Sequence, residues 1–194
     1  MKAAMFYGKE DIRIEEIEEP QVRPGTVKIA PAFNGICGSD LHLYHEGPIP
    51  PAPTADTPHP LSGETLPVVM GHEFAGVVEA IGQGVEGLAV GDSVVVEPLM
   101  VDGTCPACKA DRYNLCEQMG FIGISGRGGG LSEHIVVERL EDRSRPAVAA
   151  GERRAPPIGG MTRRSPGPNP QIDFRNSIRS VFCCSVRRSF KKVS

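Results

Sequence analysis

Tryptophan is absent from this sequence, and aromatic residues make up only 5% of it, whereas glycine (23) and proline (18) are plentiful. That balance argues against an architecture of long helices and favours short strands joined by many turns. No stretch approaches the roughly 18–20 consecutive apolar residues of a membrane-spanning helix. The opening segment, Met1 to Asp11, lacks the apolar run of a signal peptide, so a cytoplasmic location is the expectation. In that compartment the six cysteines read as thiols or metal ligands, not as disulfides. A formal net charge of -3 is too small to imply a charged partner.

What is present is ordinary globular material, 40% hydrophobic and 23% charged, over a length that suits one cored domain with a tail. The charge is unevenly spread. From Arg139 onward, basic residues such as Arg143, Arg153, Arg163 and Arg187 face only Glu141, Asp142, Glu152 and Asp173. Up to Glu138 acids predominate. Two segments with different physics are therefore expected, 1–138 and 139–194. In the second, neither the helical nor the strand period persists, and Pro-Pro, Gly-Gly and Arg-Arg pairs recur. That composition predicts a basic, Pro/Arg-rich tail without fixed structure. The abrupt change at Arg139 is what a frameshift or a retained intron would produce.

In the first segment, period-two alternation predicts strands at Lys2–Tyr7, Asp11–Ile17, Thr26–Phe33, Phe74–Ile81, Ser93–Glu97 and Ser132–Val137. One short helix is expected over Ser39–His45, capped by Ser39 or Asp40. The proline-rich stretch Gly47–Pro67 should be an irregular excursion. Strands joined by turns, without long amphipathic helices, predict a mainly β fold: a small curled antiparallel sheet or partly open barrel.

Two motifs carry chemistry. The first is Gly71-His72-Glu73-Phe74-Ala75-Gly76 with Gly82 and Val85; the second is Gly35-Ile36-Cys37-Gly38-Ser39-Asp40-Leu41-His42. Singly, Cys37 would read as a buried apolar residue, His72 as a structural histidine and Asp40 as a helix cap. Jointly, a thiolate and an imidazole are what a zinc ion takes while keeping a position open for substrate. A further set, Asp102-x2-Cys105-x2-Cys108-x7-Cys116, has the C-x2-C core of a metal lobe, with a carboxylate in the first place. Gly126-Arg127-Gly128-Gly129-Gly130 lacks the G-x-G-x-x-G order of a dinucleotide fingerprint and reads as a loop.

The order and spacing of these motifs resemble the medium-chain zinc-dependent alcohol and polyol dehydrogenase family over about Met1–Glu138. Asp102-Gly103-Thr104-Cys105 and Gly128–His134 look most like its butanediol and sorbitol dehydrogenase branch. The resemblance implies a GroES-like domain with short helices and a zinc lobe. It implies a catalytic zinc held by Cys37 and His72, with Glu73 a ligand or near-ligand. Ser39 would pass the alcohol proton outward, His42 would sit at the solvent end of that relay, and Asp40 would orient the ligand histidine. Asp102, Cys105, Cys108 and Cys116 would hold a structural zinc. The implied reaction moves hydride from a secondary alcohol or vicinal diol to NAD(P).

The family's nucleotide-binding Rossmann domain follows the segment matching Ser132–Glu138, and 139–194 cannot hold its βαβ units. A third catalytic ligand from the segment leading into that domain has no match either; Glu152 sits in an unlike setting. The chain is therefore expected not to turn over alone. The alternative is a non-catalytic zinc-binding domain or truncated isoform, able to associate with a full-length homologue. The tail carries no specific nucleic-acid or membrane motif.

Overall fold

Strand alternation builds the main sheet. The structure, a computed structural model, describes residues 1–138 and 148–150. In β3 (Thr26–Asn34) Val27 and Ile29 point inward and are fully buried. The strand lies between β5 (Phe74–Ile81) and β9 (Ile135–Glu138), and β6 (Ser93–Val96) and β10 (Val148–Ala150) complete a five-stranded sheet in the order β10-β6-β5-β3-β9. Its inner face gathers Val27, Ile29, Phe74, Val78, Val94, Val96, Ile135 and Val137 into one aliphatic core. Each such side chain contributes roughly 1.5–3 kcal/mol on burial.

A second sheet, ordered β2-β1-β4, comprises β1 (Lys2–Gly8), β2 (Asp11–Glu16) and β4 (Val68–Val69). Phe6 from β1 and Val68 from β4 pack with Leu43, Met70 and Ile124 in a core of their own. Further backbone bonds tie β1 to its flanking segments: Met70 N–H donates to Ala4 O at 2.9 Å, and Ala4 N–H donates to Leu131 O at 2.8 Å. A two-stranded pair, β7 (Leu99–Met100) and β8 (Gly120–Phe121), ends the set. Every strand pairing among the described residues is antiparallel, as a mainly β fold without βαβ units requires. Among those residues no helix is long and apolar enough to cross a membrane.

Most expected elements stand within a residue of their observed ends; the short strands β4, β7 and β8 and the short helix Pro106–Lys109 were not anticipated, and three further differences bear on the site. The helix α1 spans Gly38–Glu46, and its N-cap is Cys37, not Ser39 or Asp40. Asp40 occupies the third helical position, and its Oδ2 accepts the N–H of Cys37 at 2.8 Å, so the carboxylate closes the turn from inside. The last long strand starts at Ile135, not Ser132, because the Ser132 hydroxyl turns back to the carbonyls of Gly129 (2.7 Å) and His134 (2.9 Å). Strand β10 was not anticipated: its backbone pairs Val148 with Val96 and Ala150 with Val94. The remaining expectations for the tail lie outside the described residues.

Close backbone approach fixes the entry to the first motif. Gly123 has φ +81°, and a Cβ there would overlap the carbonyl oxygen of Gly71, the residue before His72. Gly123→Ala combines that overlap with a left-handed backbone, and should lower unfolding free energy by about 3 kcal/mol in urea denaturation. A loss below about 0.5 kcal/mol, the scatter of ordinary surface substitutions, would show that the two segments do not pack this tightly.

Candidate metal centres

Helix α1 starts within the Gly35–His42 motif, and its first turn carries Ser39 and Asp40 while Cys37 caps it. The short stretch between β4 and β5 carries His72 and Glu73 across from it. Cys37, His72 and Glu73 thereby offer ligand atoms that all lie within 4.8 Å of one another. Gly35 makes room for this: its N–H donates to Glu73 O at 2.7 Å, and a Cβ on it would stand 2.9 Å from Glu73 Oε2.

His72 is 8% exposed and Asp40 4%. The Nδ1 of His72 stands 3.5 Å from Asp40 Oδ1, an ion-pair contact without hydrogen-bond geometry, so both buried atoms lack a hydrogen-bond partner. On the other side of the ring, Nε2 lies 3.0 Å from Ser39 Oγ. Asp40 beside the imidazole raises the His72 pKa to about 9, against the opposing cost of burial. The Cys37 thiol is lowered, first by hydrogen bonding from Ser39 and then from His72. A ring held between a carboxylate and a hydroxyl, beside a thiol that ionises readily, suits a cation: neutral imidazole would give Nδ1–H to Asp40 and leave Nε2 for the metal.

The site opens into a cleft of about 880 Å³ whose apolar lining includes Phe33, Pro51, Ala75, Val95, Phe121 and Ile124. Phe33 is 80% exposed. A second cleft of about 660 Å³ opens among Arg23, Glu97, Arg127 and Glu138 and contains none of these ligands. His42 is not drawn toward Ser39; it lies exposed on α1, with Nδ1 2.9 Å from Glu46 Oε1.

The second centre sits in the lobe between β7 and β8. Ligand atoms of Asp102, Cys105, Cys108 and Cys116 lie within 4.8 Å of one another, and the three cysteines are buried. Cys105 caps α2 (Pro106–Lys109), which Pro106 starts and which brings Cys108 round to face it; a 3-10 turn at Tyr113–Leu115 presents Cys116. The lobe has only Val101, Ala107, Tyr113 and Met119 packed around those thiols, with no aliphatic core. Asp102 Oδ1 accepts the N–H groups of Thr104 (2.7 Å) and Cys105 (3.0 Å), which hold its carboxyl down at about 2.

Backbone N–H groups are aimed at sulfur as well, from Cys108 to Cys105 Sγ (3.4 Å) and from Asp102 to Cys116 Sγ (3.3 Å). The first of these lowers the Cys105 thiol, whereas burial pushes Cys108 up to about 11. Three buried thiols around one carboxylate, with donors already directed at them, fit a tetrahedral metal site.

The structure brings both sets of sequence-predicted residues together, Cys37 with His72 and Glu73, and Asp102 with Cys105, Cys108 and Cys116. Sequence reasoning did not single out Ser125, a fully buried serine in the glycine-rich loop whose hydroxyl donates to Pro51 O. Its only sequence signal is a small polar residue between Ile124 and Gly126.

Residues 23–142 match the alcohol dehydrogenase GroES-like domain. The (R,R)-butanediol dehydrogenase of Neisseria gonorrhoeae is 56% identical over 139 residues, covering 72% of this chain and 39% of that protein. The (R,R)-butanediol dehydrogenase of Bacillus subtilis is 54% identical over 138 residues, 71% of this chain and 38% of that protein. A crystal structure of 2R,3R-butanediol dehydrogenase from Bacillus subtilis superposes with a TM-score of 0.64 at 55% identity, over 71% of this chain and 38% of that one. The chain thus spans about two fifths of the length of the curated relatives it matches.

Proposed function

Since the chain belongs to the alcohol dehydrogenase GroES-like family, we propose that it is the metal-binding catalytic part of a zinc-dependent dehydrogenase of secondary alcohols or vicinal diols, the reaction being completed with NAD(P) bound by a nucleotide-binding domain. The observation that carries this reading is the convergence of Cys37, His72 and Glu73 beside the unpaired Asp40–His72 contact. A zinc ion there would act as a Lewis acid, making a bound hydroxyl easier to deprotonate.

The chain's own residues do the rest. Cys37 and His72 bind, with Glu73 as the third donor available among the described residues. Asp40, anchored on the Cys37 N–H, stands 3.5 Å from His72 Nδ1, where it would accept that nitrogen's N–H and fix the ring's orientation. Ser39, whose hydroxyl pairs with His72 Nε2 in this structure, would relay the alcohol proton, taking it up as it gives its own hydroxyl proton onward. His42 would carry the proton on to solvent from its exposed place on α1. The apolar cleft lining suits the carbon substituents of the alcohol, as the butanediol dehydrogenase names of the relatives suggest.

The second centre is assigned a structural zinc on Asp102, Cys105, Cys108 and Cys116. It supports a second reading, a zinc-binding domain without turnover, because that lobe needs nothing from the cleft. Zinc analysis and assay of the 194-residue chain test the two together. Two zinc ions per chain and no oxidation of 2,3-butanediol with NAD+ or NADP+ are expected. One zinc, lost from Cys105→Ser, would favour the second reading; NAD(P)-dependent turnover would refute the division of labour proposed.

A further inference from the structure

One part of the cleft wall, Pro51 with Phe121 and Ile124, is formed where two irregular segments meet beside the end of β8. One is the excursion 47–67, whose prolines at 48, 50, 51, 53, 58 and 60 lack the N–H needed for a ladder. The other is the turn that follows β8. Ser125 stands where they meet, with no exposed surface. Its hydroxyl donates to Pro51 O at 2.9 Å and accepts the Phe121 N–H at 3.0 Å. Its own N–H donates to Phe121 O at 2.7 Å, and its carbonyl accepts the Ser62 hydroxyl at 2.6 Å.

Pro51, Phe121 and Ile124 all line the cleft that holds Cys37, Ser39 and His72. None of the three has a side-chain donor or acceptor, so they present hydrocarbon to whatever enters. We propose that Ser125 is a positioning residue: its hydroxyl clamps Pro51 onto the Phe121–Ile124 turn and fixes the apolar wall against which the carbon chain of a metal-bound alcohol lies. The inference rests on the metal-site reading of Cys37, His72 and Glu73. Removing the hydroxyl leaves the Pro51 carbonyl without its donor and the Phe121 N–H without its acceptor, and the excursion loses its hold on the wall.

The full chain loaded with cobalt(II) supplies the test, because its visible absorption changes when a ligand enters the coordination shell. Two probes are titrated: 2,3-butanediol, which has carbon substituents for the wall, and imidazole, which meets the metal without an alkyl chain. Ser125→Ala should weaken butanediol binding about tenfold, the loss of roughly one buried hydrogen bond, while imidazole stays within about twofold. Unchanged butanediol binding, or equal weakening of both probes, would overturn the proposal.

Sulfur-to-cobalt charge-transfer absorption from the lobe reports whether the variant is folded. If Ser125→Ala loses it, Ile124→Ala decides, since that change trims the wall and leaves the clamp. Selective weakening of butanediol by Ile124→Ala is then the expected result, and none would overturn the proposal. A wild-type chain whose cobalt spectrum responds to neither probe would instead refute the metal-site reading.

Discussion

Replacing Cys108 with alanine is expected to empty the lobe of metal and to leave the wild type's second zinc ion in the cleft as the only one. The lobe has no aliphatic core to fall back on: its centre is three thiols and a carboxylate. Structural zinc in small peptides supplies about 10–16 kcal/mol of apparent binding free energy, and a lobe so lightly packed depends on a share of it. Residues 101–119 should therefore lose amide-exchange protection in Cys108→Ala while β3 and β5 keep theirs, and zinc should fall from two ions to one. Retained protection with two zincs would show that the lobe is held by packing.

The pH dependence of lobe loading follows from the same groups. Zinc needs Cys108 as thiolate, and burial keeps its proton up to about 11 in the metal-free chain, so loading at neutral pH must expel that proton. Lowering the pH strengthens the proton's competition, and affinity falls. Asp102, held down at about 2, stays ionised throughout this range and adds no pH dependence until strongly acid solution. Proton release in unbuffered titration checks the sign.

Replacing His72 with alanine is expected to remove the other zinc ion and leave the lobe loaded. This ring is the only imidazole in the cleft group, and the loss should exceed the roughly 10- to 100-fold that removal of an orienting partner costs. Asp40→Asn supplies that smaller comparison, because its amide can still meet the Cys37 N–H while giving up the charge beside His72. The order His72→Ala far below Asp40→Asn, both below wild type, in competition with a chelating dye is the outcome predicted. Equal retention in all three would mean that the metal sits elsewhere.

Much of this was legible in the sequence where a residue's role is local. Alternation marked β3 because Val27 and Ile29 face the core on either side of Lys28, and β5 because Phe74 and Val78 do so with Val77 and Glu79 turned outward. Cys37, His72 and the C-x2-C lobe were legible because ligand chemistry restricts residue type and spacing. The helix cap was not. A capping rule looks for a short oxygen-bearing side chain, whereas here a thiol residue occupies the cap and Asp40 closes the turn from the third position. Two-residue strands such as Val68–Val69 and Leu99–Met100 have no period to detect; they exist because β1 and β8 lie beside them. The glycine-rich run was readable as a loop, but not that Gly123 packs on Gly71 or that Ser125 reaches Pro51 across 74 positions.

The fastening of the excursion has a practical side for protein engineering. The stretch is pinned at Pro51 and Ser62 through Ser125, and at Leu61 and Glu64 through Arg127, whose side chain bonds the Leu61 carbonyl at 2.8 Å and whose N–H bonds Glu64 at 2.7 Å. None of these anchors is a metal ligand. Between the pins, the exposed residues 54–58 form a graftable cassette: their side chains can be randomised as a library with Cys37 and His72 left untouched, and the zinc content of each clone reports at once whether the graft has respected the frame.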